Sequence, residues 1–454
     1  MKAYIVLIPA ILAALISLIQ SPKKAFLNVY LPCLFLLPVI YHLKLKGLPD
    51  MGFAQISLIP IIGIHLVVSR FKKCYPSGIL DYLVILYVAL CAISEYKNTG
   101  SYQSSEGGVL WITLLANKFT TVLFPYFLAR WFIIPKHLSA PMAQRMVILL
   151  IITLIISVWE WRFVVNAQAT IVGWFFPDQE YWIPTYRYGL VRISGPFPHP
   201  ILLGIALGIT FLLNYWLVKN KLWLRNFPFF PPLPVSKGVI FSFTLLIGLL
   251  FTISRAPILG TFIGFLFIGA AYSTHRVRSL AIRFGALGIL FLLGMQSFFY
   301  YSNIDRYLAE SPLAGAAAYR VDILFKYLPY IQEKPYWGWG YSSLPESAGL
   351  KSIDNEFLWI TLKHGLYTLA CFLMIFIVAG IKLIRRGIDR KCEDPLERSF
   401  CMTMLGIFLM LGASLITVYM GGQIQPLFFI MVGWTQGYLA TEPGKEAVRL
   451  LKPS

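Results

Sequence analysis

The sequence predicts an all-α integral membrane protein with 12–13 transmembrane helices and two long external loops. Of its 454 residues, 58% are hydrophobic and only 13% are charged. Apolar runs long enough to cross a bilayer recur from end to end. The polar stretches are at most a few tens of residues long, too short for an independent hydrophobic core. A soluble domain of ordinary size is therefore excluded.

Hydropathy windows of about 19 residues locate the spans. The windows are 3–20, 25–42, 51–69, 79–94, 109–134, 145–164, 199–218, 237–253, 256–273, 280–299, 355–384, 400–417 and 423–440. A merged or re-entrant segment would reduce these thirteen to twelve. The first window resembles a signal peptide, but it lacks a clear small-residue cleavage site and another apolar run follows, so we expect a retained span.

Basic residues are concentrated in alternate connections between these spans, as they are in cytoplasmic loops. The basic connections are 70–73, 136–145, 219–237, 275–278, 385–398 and the tail after 440. The intervening connections, which include 165–198, 254–256 and 300–354, are then external. Basic residues at 44–46 violate the pattern and leave the orientation of the first two spans open. The same loop bias accounts for the net charge of +19, so no nucleic-acid partner is expected.

The chain divides into five consecutive parts on this basis. They are N-terminal transmembrane helices (1–164), an external loop (165–198), central transmembrane helices (199–299), a large external loop with surface helices (300–354), and C-terminal transmembrane helices with a cytoplasmic tail (355–454). Loops longer than about 15 residues are usually functional. Ala316 to Ile331 is amphipathic and predicts a helix along the membrane surface.

Polar residues lie where two external connections enter apolar helices. Arg192 and His199 precede Pro200, which suits the first turn of a helix. Ser254 and Arg255 form a tight turn between two apolar runs. Taken singly, each is also explained by an arginine that snorkels to the interface or by a histidine that caps a helix.

The 300–354 loop and its exit carry further polar and aromatic candidates. Arg320 lies on one stripe of the amphipathic stretch, where a solvated face is the simpler interpretation. Trp337 and Trp339 alternate with glycines, which permit close approach of a backbone to a ligand. Their rings suit sugar stacking or an interfacial aromatic belt. Asp354 and Asn355 directly precede an apolar helix, and a plain N-cap is the alternative there.

Together these residues place three arginines and a carboxylate on one predicted face of the membrane. Guanidinium groups bind phosphate oxygens bidentately and remain charged, so such a cluster fits a diphosphate. A carboxylate nearby can accept the proton of a hydroxyl nucleophile.

The ordered set of motifs resembles the O-antigen ligase and polysaccharide polymerase superfamily. The set is Arg-x-x-Gly-x-Phe-x-x-Pro at 192–200, Ser-Arg at 254–255, Pro-Tyr-Trp-Gly-Trp-Gly at 335–340 in a loop that also contains Arg320, and Asp-Asn at 354–355. The resemblance covers roughly residues 190–385, whereas the preceding residues match the family only in hydropathy.

The resemblance implies a GT-C-like glycosyltransferase of the bacterial inner membrane. It would transfer a glycan from undecaprenyl diphosphate to an acceptor hydroxyl on the external, periplasmic face. Arg192 and Arg255 would hold the diphosphate, and Asp354 would act as base or orient the acceptor. The predicted substrate-binding residues are Arg320, His199, Asn355, Ser254, Trp337 and Trp339.

Ligases of the family commonly carry a histidine where this chain has Asp354. The departure favours a polymerase of exopolysaccharide or O-antigen repeats, with ligase-type transfer to a lipid A core or protein as the alternative. A lipid-linked oligosaccharide flippase is the main alternative of another class, but it predicts charges near the midplane and inverted repeats, and we find most charges at span ends and no repeat. A scaffold protein would not require clustered arginines.

We expect an inverting reaction, in which the acceptor hydroxyl attacks the anomeric carbon while the arginines stabilise the departing lipid diphosphate. We expect no metal or cofactor, because no DxD-type motif lies in the external loops and the six cysteines have no metal-binding spacing. The expected partners are the lipid-linked donor, the glycan acceptor and the bilayer. Other polysaccharide assembly proteins are further candidate partners.

Overall fold

The computed structural model describes residues 2–44, 49–69, 77–98, 106–133, 138–179, 182–224, 235–302, 312–340, 353–389 and 394–440. The basic connection at 70–73, the stretches 303–311 and 341–352 of the 300–354 loop, and the tail after 440 lie outside the described residues. Helices dominate the described chain, and the two sheets found in it are two-stranded hairpins. The predicted all-α membrane fold is confirmed.

The helices follow one another along the whole chain. They are α1 (Leu7–Ile19), α2 (Pro22–Ala25), α3 (Leu31–Leu36), α4 (Phe53–Ser69), α5 (Ile79–Asn98), α6 (Glu106–Lys118), α7 (Phe124–Ile133), α8 (Ser139–Phe163), α9 (Ala167–Gly173), α10 (Pro200–Lys219), α11 (Lys237–Phe251), α12 (Arg255–Ile268), α13 (Arg276–Ser302), α14 (Pro312–Glu333), α15 (Glu356–Ile388), α16 (Pro395–Leu415) and α17 (Ile424–Leu439). The 3₁₀ segments Lys2–Val6 and Gly269–Tyr272 extend α1 and α12, and the π-helical segments Phe26–Tyr30 and Phe119–Leu123 join α2 to α3 and α6 to α7.

The four strands form two antiparallel pairs. They are β1 (His42–Leu43), β2 (Met51–Gly52), β3 (Thr185–Arg187) and β4 (Leu190–Arg192). In the second hairpin Thr185 is opposite Arg192, and Arg187 is opposite Leu190. Tyr188 and Gly189 join these strands with φ values of 54° and 73°, the positive pair that a tight two-residue hairpin turn requires.

Eight helices in the described chain are long and apolar enough to cross a membrane. They are Ile79–Asn98, Trp111–Ile133, Ser139–Phe163, Pro200–Lys219, Arg255–Tyr272, Arg276–Tyr301, Glu356–Ile388 and Pro395–Leu415. Three shorter apolar helices accompany them, at Ala3–Ile19, Phe53–Val68 and Lys237–Phe251.

Each of the thirteen predicted windows overlaps a helix, but eight helices reach full spanning length against the 12–13 predicted. The window 25–42 illustrates the difference. Its helix stops at Leu36 because Leu37 is extended (φ −105°, ψ 137°), as expected for a residue that precedes a proline. A hydropathy window does not register this break.

Glycines allow the closest helix pairs to approach. A Cβ on Gly264 of α12 would lie 2.7 Å from the carbonyl oxygen of Gly406 in α16. A Cβ on Gly433 of α17 would lie 2.1 Å from the carbonyl oxygen of Tyr126 in α7. Small residues at helix contacts are typical of membrane bundles, where close packing replaces the hydrophobic effect as the source of association.

The ends of several helices meet at one end of the bundle, which we term the site end. The C-terminal ends of α8 and α11 lie there with the N-terminal ends of α10 and α12. The amide of Ile193, just before α10, donates to the carbonyl of Phe251 at the end of α11 (3.4 Å). Gln423, just before α17, donates from Nε2 to the carbonyl of Pro196 (2.8 Å). Glu356, the first residue of α15, accepts a hydrogen bond from the amide of Met420, which follows α16.

Candidate active site

Arg192 is buried against the turn between α11 and α12. Its Nε donates to the carbonyl oxygen of Thr252 (2.9 Å), and its Nη2 donates to Ser254 Oγ (2.8 Å). The carbonyl oxygens in the last turn of a helix lack intrahelical partners, so a guanidinium group suits this position. Ile253 in this turn has a positive φ of 48°. Arg192 thus holds the turn that presents Arg255 as the first residue of α12.

The β3–β4 hairpin brings two more side chains to the same turn. Arg187 donates from Nη1 to the carbonyl oxygen of Ile253 (2.8 Å). Arg255 is exposed and forms a hydrogen bond with the hydroxyl of Tyr188, and its guanidinium carbon lies 5.8 Å from the centre of that ring. The hairpin therefore positions three arginines around one turn.

Electrostatic interactions connect this turn with α14 and with the start of α15. Arg320 of α14 interacts with Asp354, Arg187 and Arg255. His199 interacts with Arg192, Asp354 and Arg187. We call Arg187, Arg192, Arg255 and Arg320 the arginine cluster. The structure thus brings the predicted residues Arg192, Arg255, Arg320, His199 and Asp354 into one group of interacting side chains, and it adds Arg187.

The members of the arginine cluster repel one another. Burial, followed by the positive charge of Arg187, lowers the pKa of Arg192 to about 10. Burial and Arg255 lower the pKa of Arg187. Desolvation also lowers the pKa of Arg320, and Asp354 opposes this shift. An anion bound among these groups would relieve the repulsion and favour their charged forms.

His199 is neutral at physiological pH. Burial, and then the charge of Arg192, lower its pKa to about 4, against an opposing contribution from Asp354. Its Nδ1 accepts a hydrogen bond from the amide of Ile201 (3.2 Å), so the ring proton belongs on Nε2. The predicted helix-capping position is therefore observed, and the Nε2–H group is left as the donor.

The other predicted residues of this region cap helices or brace the turn. Asn355 is the N-cap of α15, and its Oδ1 accepts a hydrogen bond from the amide of Leu358 (3.1 Å). Ser254 Oγ bridges Arg192 and the carbonyl oxygen of Thr252 (3.0 Å). Asn355 thus fixes the start of the helix that Asp354 precedes.

Glu160 organises the segment that follows β4, and it is not among the residues predicted from the sequence. Its Oε1 accepts hydrogen bonds from the amide and hydroxyl of Ser194 (2.8 and 2.9 Å), and its Oε2 accepts one from the amide of Gly195 (2.8 Å). The residue is only 1% exposed. The available signal was a carboxyl side chain in the last turn of an apolar span, a location that is usually functional or structurally paired.

The Pro-Tyr-Trp-Gly-Trp-Gly segment packs against a break in α15. The break is at Gly365, whose φ of 81° and ψ of 177° are non-helical. The amides of Trp339 and Gly340 donate to the carbonyl oxygens of Leu362 (2.8 Å) and Lys363 (2.9 Å). Backbone groups released by a broken membrane helix require such partners. The backbone at these glycines approaches α15 closely, and the predicted close approach to a ligand stays a prediction.

Trp337 and Trp339 are half-buried beside lysine side chains. Lys97 Nζ lies 4.4 Å from the centre of the Trp337 ring, and Lys334 Nζ lies 4.2 Å from that of Trp339. Trp339 Nε1 donates to the carbonyl oxygen of Tyr330 (3.0 Å). These contacts join the two tryptophans to α5 and α14, and their predicted role in sugar binding stays a prediction.

The part of the chain that the structure describes contains no cluster of three or more His, Cys, Asp or Glu side chains that could hold a metal ion. The functional groups that the described side chains supply at the site end are guanidinium groups, a neutral imidazole and a carboxyl group.

The fold and this group of side chains define a multi-pass membrane protein with a cationic site at one end of its helical bundle. Residues 240–373 match the family model described as O-antigen ligase. The match includes Arg255, Arg320 and Asp354, and it supports the O-antigen ligase and polymerase superfamily, so the predicted resemblance is confirmed. It indicates glycosyl transfer of the ligase or polymerase type. No curated protein matches the chain.

Proposed function

We propose that this protein polymerises surface polysaccharide by transferring a glycan from undecaprenyl diphosphate to the hydroxyl of an acceptor sugar. The reaction would take place on the periplasmic face of the bacterial inner membrane. The observation that carries the proposal is the convergence of the arginine cluster with Asp354. These residues come from β3, β4, α12, α14 and the segment before α15, which are far apart in the chain.

The arginine cluster suits a diphosphate leaving group. Four guanidinium groups face one carboxyl group here, so their mutual repulsion is only partly compensated within the described residues. A diphosphate offers several charged oxygens that guanidinium groups bind bidentately. In the transition state more negative charge develops on the departing oxygen, and fixed positive charges stabilise it.

Asp354 would serve as the base. The acceptor hydroxyl oxygen forms a bond to the anomeric carbon while the bond from that carbon to the diphosphate oxygen breaks. The hydroxyl proton passes to the Asp354 carboxylate, and the lipid diphosphate leaves with the electron pair. Attack on the face opposite the leaving group inverts the anomeric configuration. His199 Nε2–H would donate a hydrogen bond to a phosphate or sugar oxygen.

Ligase-type transfer is the second candidate, because the matched family model is described as O-antigen ligase. The presence of Asp354, where ligases commonly carry a histidine, favours the polymerase. The product distinguishes the two. A long polymer on the lipid carrier indicates a polymerase, whereas glycan on a lipid A core or a protein indicates a ligase.

Arg255→Ala in the host strain tests the proposed function. Arg255 is exposed, so its removal should leave protein levels unchanged while polymer production falls by about a hundredfold, the typical cost of one group that stabilises a leaving charge. Arg278→Ala is the matched control, because Arg278 is an exposed arginine near the start of α13, at the opposite end of the bundle. Full polymer production by Arg255→Ala at normal protein level would refute the proposal.

A further inference from the structure

Tyr188 occupies the tip of the β3–β4 hairpin in a backbone conformation that a tyrosine rarely adopts. Its φ is 54°, and Gly189 follows with a φ of 73°. Two-residue hairpin turns with this positive pair strongly favour asparagine or aspartate before the glycine, and a positive φ is uncommon at a bulky residue. Tyrosine is therefore a poor residue for the turn itself, and unfavourable backbone conformations of this kind are concentrated at functional sites.

The ring of Tyr188 stands beside the arginine cluster and is largely uncovered. Its exposed fraction is 66%. Its hydroxyl forms a hydrogen bond with Arg255, whose guanidinium carbon lies 5.8 Å from the ring centre, and Arg187 directly precedes it in the chain. An aromatic side chain that only anchors the protein at the membrane interface requires no contact with these arginines. The exposed ring is thus available to a molecule that binds at the cluster.

A second exposed tyrosine of the hairpin, Tyr186, lies on the other face of the strand pair. Its exposed fraction is 57%, close to that of Tyr188. Successive side chains of a strand point to opposite faces, and the neighbouring Arg187 reaches the carbonyl oxygen of Ile253 at the cluster. The side chain of Tyr186 therefore points away from the cluster. Position relative to the arginines, and not exposure, distinguishes the two tyrosines.

The chemistry of a glycosyl diphosphate places one sugar ring next to its phosphates. The first sugar is bonded directly to a diphosphate oxygen, so a diphosphate held by Arg255 brings this sugar into the neighbourhood of Tyr188. A pyranose ring carries carbon-bound hydrogens on its faces, which pack on the apolar face of an aromatic ring. Tyrosine combines such an apolar face with a polar tip, and here the tip is already bonded to Arg255.

We propose that Tyr188 binds the sugar ring that is bonded to the diphosphate of the donor. The inference rests on the proposed function for the presence of a diphosphate at the arginine cluster. Transfer separates the glycan from the diphosphate, so the contact exists with the loaded donor and is absent with the lipid diphosphate that remains. Tyr188 is thus a specificity-determining residue, which favours binding of the substrate over binding of the spent carrier.

Tyr188→Asn in the full-length protein tests this proposal. Asparagine before Gly189 is the preferred residue of such a turn, so the hairpin is retained while the ring is removed. The probes are undecaprenyl diphosphate and the lipid-linked repeat unit extracted from a host strain that lacks this protein, and the measurement is their equilibrium binding in detergent. A sugar face on the ring buries the equivalent of about two methylene groups, so Tyr188→Asn should lower the preference for the sugar-carrying lipid roughly tenfold.

Tyr186→Asn is the matched control, because it removes an exposed tyrosine from the other face of the same hairpin. Its preference for the sugar-carrying lipid should stay within about twofold of the wild-type value, the usual range for a surface substitution. Tyr188→Phe separates the ring from the hydroxyl. It keeps the surface on which the sugar packs and removes the hydrogen bond to Arg255, so it should retain the preference that Tyr188→Asn loses.

The outcomes separate this proposal from the proposed function. If Tyr188→Asn keeps the wild-type preference, or if Tyr188→Phe loses as much of it as Tyr188→Asn does, the ring does not bind the sugar and the proposal is wrong. Equal binding of the two lipids by the wild type would also overturn it. If Arg255→Gln leaves the binding of inorganic diphosphate unchanged, the cluster does not hold a diphosphate and the proposed function fails.

Discussion

Replacing Glu160 by alanine is expected to destabilise the protein and to disorder the segment that carries Arg192. The change removes both acceptor oxygens from the amides of Ser194 and Gly195. The Ser194 hydroxyl can rotate toward another partner, but the two amides cannot. Each buried donor left without an acceptor costs about 1–3 kcal/mol, so the free energy of unfolding should fall by about 2–6 kcal/mol. Glu160→Gln keeps one acceptor oxygen and should cost about half as much.

The measurement is the unfolding of purified full-length protein in detergent, by heat and by denaturant, together with the binding of inorganic diphosphate. Arg162→Ala is the control, because Arg162 is exposed in the same helical turn. A functional readout separates positioning from stability. Glu160→Gln should weaken diphosphate binding at temperatures where it is fully folded. The reasoning is refuted if Glu160→Ala unfolds within about 0.5 kcal/mol of Arg162→Ala, the usual range for a surface substitution.

Two further predictions concern the break in α15 and the histidine of the site. Gly365→Ala should lower the free energy of unfolding by more than about 2 kcal/mol, because a Cβ there would lie 2.1 Å from the carbonyl oxygen of Tyr336 at a φ of 81°. Gly380→Ala, in the same helix with its nearest neighbour at 3.9 Å, should be neutral or stabilising by up to about 1 kcal/mol, and equal unfolding of the two variants would contradict this account. His199 has a pKa of about 4 in the folded chain and about 6.5 when unfolded, so its contribution to stability is present above pH about 6.5 and is lost as the pH falls toward 4. His199→Asn preserves a good N-cap. In unfolding experiments its free energy of unfolding should therefore fall less between pH 7 and 4 than that of the wild type. Equal decreases for the two proteins would show that His199 does not resist protonation.

Much of this protein is determined by local features of its sequence. The apolar runs mark the helices because a span must bury about 20 consecutive residues in hydrocarbon. Pro200 and the residues before it mark the start of α10, and the turn at Ser254 marks the start of α12, because helix entry depends on a few adjacent residues. The amphipathic stretch 316–331 falls within α14 as predicted. The motif order also indicated the superfamily that the match of residues 240–373 supports.

The composition of the site depended on contacts between distant parts of the chain. Arg187 belongs to the arginine cluster only because the β3–β4 hairpin folds onto the turn after α11. Glu160 accepts hydrogen bonds from the amide and the hydroxyl of Ser194, which lies 34 positions further along the chain. The hydrogen bond from Ser94 Oγ to the carbonyl oxygen of Trp337 joins residues 243 positions apart. No window of neighbouring residues contains information about such pairs.

The sequence by itself therefore determined where the chain is helical, which helix ends carry charge and which family the motifs indicate. Only the tertiary structure decided which helix ends meet, that Arg187 and Glu160 take part, and that the Trp-Gly-Trp-Gly segment supports the broken helix α15. The physical reason is that hydropathy and helix entry act over a few residues. A site made of repelling guanidinium groups, in contrast, exists only where packing and long-range hydrogen bonds hold separate segments together.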